Sequence, residues 1–133
     1  YMKKGLSFVI ISIAFLLFTS LGKRESSSFK TGKYVVKGQT YTTYIERFDN
    51  YQTEYTPENG LKIKSKISWE TDCYYSIGDY EVLENPDNDH FSYIEGGTTV
   101  YFEIIKVKKN SIITLARNFK NSEPIGKIIY HRQ

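Results

Sequence analysis

The stretch Leu61-Lys62-Ile63-Lys64-Ser65-Lys66-Ile67-Ser68-Trp69 decides the fold class of this chain. Apolar or small side chains occupy every second position, and lysine or serine fills the positions between them. Successive side chains of a β-strand point to opposite faces, whereas a helix would scatter the lysines around its circumference. This strict period of two predicts a strand that has one face on a core and the other in water.

Turn signals lie on both sides of this strand and recur along the chain. Pro57-Glu58-Asn59-Gly60 precedes it, with a proline that presets φ and a glycine that supplies a positive φ, and Thr71-Asp72 follows it. Asp49-Asn50 is a two-residue hairpin signal. Further strand-like stretches cover residues 29–37, 40–48, 51–56, 73–77, 98–107, 111–117 and 125–131.

Seven to nine short strands joined by short turns predict an all-β fold, an antiparallel meander that forms a small barrel or a strongly curved sheet. A two-sheet sandwich is the alternative. Within residues 98–107 the apolar parity changes from Val100, Phe102 and Ile104 to Ile105 and Val107. This change predicts a β-bulge or a switch of sheet.

The first 22 residues have the pattern of an export signal. Lys3 and Lys4 precede an apolar stretch, and small residues lie near Gly22. We therefore expect a signal peptide at 1–22, a disordered linker at 23–28 and a single β domain at 29–133, located outside the cytoplasm. The alternative is an uncleaved membrane anchor, which would be the protein's only contact with a membrane.

Composition excludes some classes of function. Without Lys3 and Lys4, 16 of the 18 basic side chains remain against 15 acidic ones, so the domain lacks the basic excess of a nucleic-acid-binding protein. Cys73 is the only cysteine, so no intrachain disulfide can form. The chain has 12 tyrosines, which favour strands and, where they point outward, interfaces.

No catalytic, metal or cofactor motif appears. Serine occurs in no nucleophile elbow, and there is no metalloprotease or P-loop pattern. Cys73 follows Glu70 and Asp72, and such acidic neighbours do not activate a thiol. The acidic side chains around His90 lack the spacing of a calcium loop. We therefore expect no enzyme, no metal and no cofactor.

Two strings resemble a family of small exported proteins of Bacteroidota. Phe29-Lys30-Thr31-Gly32 matches an "FKTG" start, and residues 69–75 match a "W-x-x-D-C-x-Y" centre. The resemblance implies a lipocalin-like β-meander. Some members carry a DNA topoisomerase IV name, which nothing in the length or composition of this chain supports.

These observations lead to three hypotheses. The first is a non-catalytic exported binding or interaction module with an unknown protein or glycan partner. The second is a lipocalin-like carrier of a small apolar ligand, which requires a closed barrel with an internal cavity. The third, an enzyme, requires His90 or Cys73 beside a carboxylate in a cleft. The candidate ligand-contacting side chains are Trp69, Tyr44, Tyr75 and Tyr101.

Overall fold

Eight antiparallel strands follow one another around a closed barrel in the computed structural model, which describes residues 28–133. A 3₁₀ turn, Ser28–Lys30, precedes the first strand, and a short helix, α1 (Ser92–Glu95), lies between the fifth and sixth. The strands are β1 (Gly32–Lys37), β2 (Thr42–Arg47), β3 (Tyr51–Thr56), β4 (Leu61–Thr71), β5 (Tyr74–Glu84), β6 (Val100–Val107), β7 (Ser111–Arg117) and β8 (Gly126–Arg132). The predicted signal peptide (1–22) lies outside the described residues, as does all of the predicted linker (23–28) except Ser28.

Each strand pairs with its neighbours in sequence, and the barrel closes where β1 pairs with β8. This closing ladder is short and consists of Tyr34 opposite Arg132 and Val35 opposite His131. The all-β meander prediction is therefore confirmed, and the sheet closes into a barrel instead of remaining open or splitting into a sandwich.

The alternation that predicted β4 is present in the structure. Leu61, Ile63, Ser65 and Ile67 are buried inside the barrel, and the intervening lysines lie on its outer surface. The inward side chains of the other strands complete one apolar core, whose buried members include Ile45, Ile77, Phe102, Ile104, Ile112 and Tyr130.

The parity change near the end of β6 arises from a β-bulge. The register between β6 and β7 shifts between Ile104 and Lys106, after which Val107 lies opposite Ile112. One extra residue on the bulged strand reverses the face on which the following side chains lie. Of the two explanations predicted from the sequence, a β-bulge or a switch of sheet, the structure confirms the β-bulge.

The two ends of the barrel differ in their connections. At the closed end, short turns join β2 to β3, β4 to β5 and β6 to β7, and the Ser28–Lys30 turn packs there. The longer connections, 85–99, which contains α1, and 118–125, leave from the opposite, open end, and Lys120 of the second one reaches back to Glu70 near the β4–β5 turn. The β5–β6 ladder begins at Tyr74 and stops at Ile77 opposite Val100, so the rest of β5 pairs with β4 alone.

Helices contribute little to this part of the chain. No helix among residues 28–133 is long and apolar enough to cross a membrane.

Candidate functional site

Aromatic side chains fill the closed end of the barrel. Phe29, from the 3₁₀ turn, is fully buried, and its ring packs edge-on against Tyr34 and Tyr130 with centroid distances of 4.8 and 5.1 Å. Trp69 and Tyr75 complete the group, with centroids 4.5 Å apart. Edge-on ring pairs place the positive edge of one ring on the negative face of the other. We call Phe29, Tyr34, Trp69, Tyr75 and Tyr130 the aromatic cluster.

A cation lies at the centre of the aromatic cluster. Arg47, the last residue of β2, is 1 % exposed, and its guanidinium carbon is 4.2 Å from the centroid of Phe29 and 4.9 Å from that of Tyr75. Ring faces attract cations, and the attraction strengthens where water is excluded. The rings thus supply part of the stabilisation that a buried charge needs.

Hydrogen bonds connect this cation to the middle of the barrel. Arg47 donates from Nε and Nη2 to Oε1 of Gln52, at 3.0 and 2.8 Å. Gln52 is fully buried, and its Nε2 donates in turn to Oε1 of Glu54 at 3.1 Å. The Arg47–Gln52–Glu54 chain therefore extends from the closed end toward the open end along β2 and β3.

A cavity occupies the interior between this chain and the open end, with a volume of about 310 Å³. Its walls are mostly apolar and come from all eight strands and from the β7–β8 connection. The lining residues are Val36, Thr43, Ile45, Glu54, Thr56, Leu61, Ile63, Ile77, Tyr80, Val100, Phe102, Ala116, Ile125, Ile128 and Tyr130.

Within residues 28–133, Glu54 is the one residue of the cavity lining that has a carboxyl group. Its side chain is partly exposed to solvent, because it points into the cavity and the barrel walls cover the rest of it. Burial raises the pKa of this carboxyl above its ordinary value, and the Arg47 cation and the hydrogen bond from Gln52 partly oppose that rise. Glu54 therefore combines a polar group with apolar surroundings.

The other polar groups near the cavity are hydroxyls. Thr43 and Thr56 face each other with their oxygens 3.4 Å apart. Burial raises the pKa of the Tyr130 hydroxyl well above its ordinary value, and the neighbouring Tyr75 raises it further. The Tyr75 hydroxyl lies near Arg47 and Tyr130 but makes no hydrogen bond of ordinary geometry with any described residue. These phenols therefore stay uncharged at neutral pH.

The four predicted ligand-contacting residues lie in two different places. Trp69 and Tyr75 belong to the aromatic cluster beneath the cavity. Tyr101, on the outside of β6, lines a surface pocket together with Trp69, Tyr75 and Lys120, whereas Tyr44 is 39 % exposed on the outside of β2. None of the four lines the cavity.

Sequence reasoning missed Arg47, Gln52 and Glu54. A weak signal exists for Arg47, which has the same parity as the inward-facing Thr43 and Ile45. No such signal exists for Glu54, because residues 51–56 are polar or tyrosine at every position. Its neighbours across the ladders, Ile45 and Ile63, both face inward and fix its direction.

The residues required by the enzyme hypothesis lie away from this cavity. His90 is 2.7 Å from a carboxylate oxygen of Glu95, and both side chains are largely exposed. Cys73 lies at the β4–β5 turn, where its backbone amide donates to the Thr71 hydroxyl. Within residues 28–133 no group of three or more histidine, cysteine or acidic side chains is placed to hold a metal ion.

Comparison with protein-family models, with curated proteins and with solved structures finds no match to this chain. The resemblance to exported proteins of Bacteroidota therefore stays a prediction. The residues inside the barrel are the basis for assigning a function.

Proposed function

We propose that this protein is a non-catalytic carrier that binds a small apolar ligand inside its barrel. The observation that supports this most directly is the apolar cavity of about 310 Å³ above the aromatic cluster. Ligand pockets of proteins typically begin at roughly 300 Å³ and combine apolar walls with a few polar groups. The cavity has this composition, with Glu54 and the Thr43–Thr56 pair as its main polar groups.

The cavity volume limits the size of the ligand. An engineered cavity of roughly 150 Å³ holds one benzene molecule. A cavity of about 310 Å³ therefore accommodates about twice that volume, such as a phenyl ring with a short chain. Long-chain lipids would have to extend beyond the open end.

An interaction module at the outer surface is the second candidate. Tyr44 and Tyr55 are cross-strand neighbours on β2 and β3, and they are 39 % and 42 % exposed. Exposed tyrosines are favoured at interfaces because they combine contact area with a polar tip. This surface would suit a protein or glycan partner and does not require the cavity.

Filling the cavity tests the carrier proposal. Ala116 is buried and faces the cavity from β7, whereas its neighbour Leu115 faces outward. We expect 4-phenylbutanol to bind the wild-type protein with one saturable site in isothermal titration calorimetry. Ala116→Phe should abolish this binding because the new ring occupies the ligand's space, and Leu115→Phe should retain it.

Two results would contradict the carrier proposal. Unchanged binding in a folded Ala116→Phe variant would place the ligand outside the cavity. An absence of measurable binding to the wild-type protein would favour the outer surface. Circular dichroism on both variants establishes that they retain the β-sheet signal of the wild type.

A further inference from the structure

We infer that the ligand carries a protonated amine, which pairs with Glu54 while its apolar part fills the cavity. The inference rests on the proposed carrier function and specifies the chemical class of the ligand. It follows from the distribution of charge and of hydrogen-bonding groups around the cavity.

Acceptors outnumber cations at the cavity surface. Among the described residues, Glu54 is the only acidic residue of the lining, and none of the lining residues is lysine, arginine or histidine. Among the residues that the structure describes, no basic side chain lies within salt-bridge distance of Glu54. A ligand cation would supply a direct ionic partner for Glu54, whereas a ligand anion would meet a carboxylate and no cation among the described lining residues.

Arg47 is already occupied by the protein and is not available to a ligand anion. Two of its nitrogens donate to Gln52, and the aromatic cluster covers its faces. The guanidinium does not line the cavity. Its Nη1 is buried without a hydrogen-bond partner among the described residues, but it lies within the closed end and not at the cavity surface.

Gln52 leaves Glu54 with unused acceptor capacity. Because Arg47 takes the amide oxygen of Gln52, only the amide nitrogen remains to contact Glu54. That nitrogen donates one hydrogen bond to Oε1. An ionised carboxylate accepts about four hydrogen bonds, so further donors can bind from the cavity side. An ammonium group is the strongest such donor because the hydrogen bond is charge-assisted.

The charged and titratable groups around Glu54 also predict a pH dependence. These groups are Arg47 of β2 and the phenols Tyr75 of β5 and Tyr130 of β8, and the two phenols stay neutral; Gln52 of β3 is an uncharged hydrogen-bond donor. Protons and the amine therefore compete for one carboxylate. Amine affinity should fall when acid protonates Glu54, while the affinity of a neutral ligand should change little.

Three probes of one shape test the inference: 4-phenylbutylamine, 4-phenylbutanol and 4-phenylbutyrate, titrated calorimetrically at neutral pH. We expect the amine to bind wild-type protein about 10- to 100-fold more tightly than the alcohol, as hydrogen bonds to charged groups imply. The butyrate should bind most weakly. Glu54→Gln should remove the amine preference, whereas Glu46→Gln, on the outer face of β2, should leave it unchanged.

The outcomes distinguish the inference from the carrier proposal. Equal affinity for amine and alcohol, lost in Ala116→Phe, would overturn the amine assignment and leave the carrier intact. Tightest binding of the butyrate would overturn it in favour of an anion. Binding of none of the probes would contradict both proposals. If Glu54→Gln does not fold, the ratio of the wild type's affinities for the amine and the alcohol, measured at acid and at neutral pH, tests the same point. A ratio that does not fall in acid would overturn the amine assignment.

Discussion

Replacing Arg47 by alanine is the sharpest test of how the closed end is held together. Truncating a large buried side chain costs about 2–5 kcal/mol, because the cavity left behind refills only in part. The oxygen of Gln52 would also lose both of its donors, and a buried unsatisfied acceptor costs about 1–3 kcal/mol. We therefore expect Arg47→Ala to lower the free energy of unfolding by about 3–8 kcal/mol.

A loss of this size is large beside the total stability of a domain, about 5–15 kcal/mol. Urea unfolding measures it, followed by the fluorescence of Trp69, the only tryptophan in the sequence. Trp69 packs within the aromatic cluster, so its emission reports on the region that is changed. Lys33→Ala, at an exposed position of β1, is the control and should stay within about 0.5 kcal/mol of wild type.

A second variant separates packing from hydrogen bonding. Arg47→Met retains much of the volume and removes a buried charge, which can itself be favourable. It leaves mainly the unsatisfied oxygen of Gln52, so we expect a loss of about 1–3 kcal/mol. If Arg47→Ala loses less than about 1 kcal/mol, the guanidinium does not hold the closed end together and the reasoning fails.

Three further predictions concern other parts of the barrel. Phe29→Ala should cost about 3–5 kcal/mol in urea unfolding, and Phe29→Leu clearly less, because leucine refills part of the space; equal losses would contradict this. Because the pKa of Glu54 is raised in the folded state, that state holds the proton of Glu54 more tightly than the unfolded chain does. Relative to Glu54→Gln, the wild type should therefore lose stability as the pH rises from about 4.5 through the higher pKa. A stability difference between the two proteins that does not change with pH would contradict this. Gly60 and Gly97 both have positive φ, but a Cβ at Gly60 would lie 2.6 Å from Pro86, whereas a Cβ at Gly97 would meet nothing. Gly60→Ala should therefore lower the free energy of unfolding by about 1–3 kcal/mol more than Gly97→Ala, measured by thermal or urea unfolding. Equal losses would exclude the contact with Pro86.

The fold was predictable from sequence because its signal is local. Alternation in residues 61–69 determines which side chains of β4 face the core, and the turn residues beside it set its limits. Closure of the barrel was not predictable. It depends on pairing between β1 and β8, which are far apart in sequence, and no local pattern indicates whether two such strands meet.

The candidate site was less predictable than the fold. Charged side chains usually lie outside, so Arg47 and Glu54 were not recognised as interior groups. The interior positions of both residues are determined by neighbours across the ladders, such as Ile45 opposite Glu54. Trp69 and Tyr75 were expected to contact a ligand, and they instead lie beside the Arg47 cation and do not line the cavity.

The short β5–β6 ladder has a consequence for the lifetime of a bound molecule. Pairing stops at Ile77 opposite Val100, and the wall beside the cavity continues as β5 without β6. Backbone that lacks a full ladder opens locally at a much lower free energy than the whole domain. Ligand entry and escape would then follow the opening of this seam, and amide hydrogen exchange would be fastest there. The residence time of the ligand and the global stability of the barrel would thus depend on different parts of the molecule.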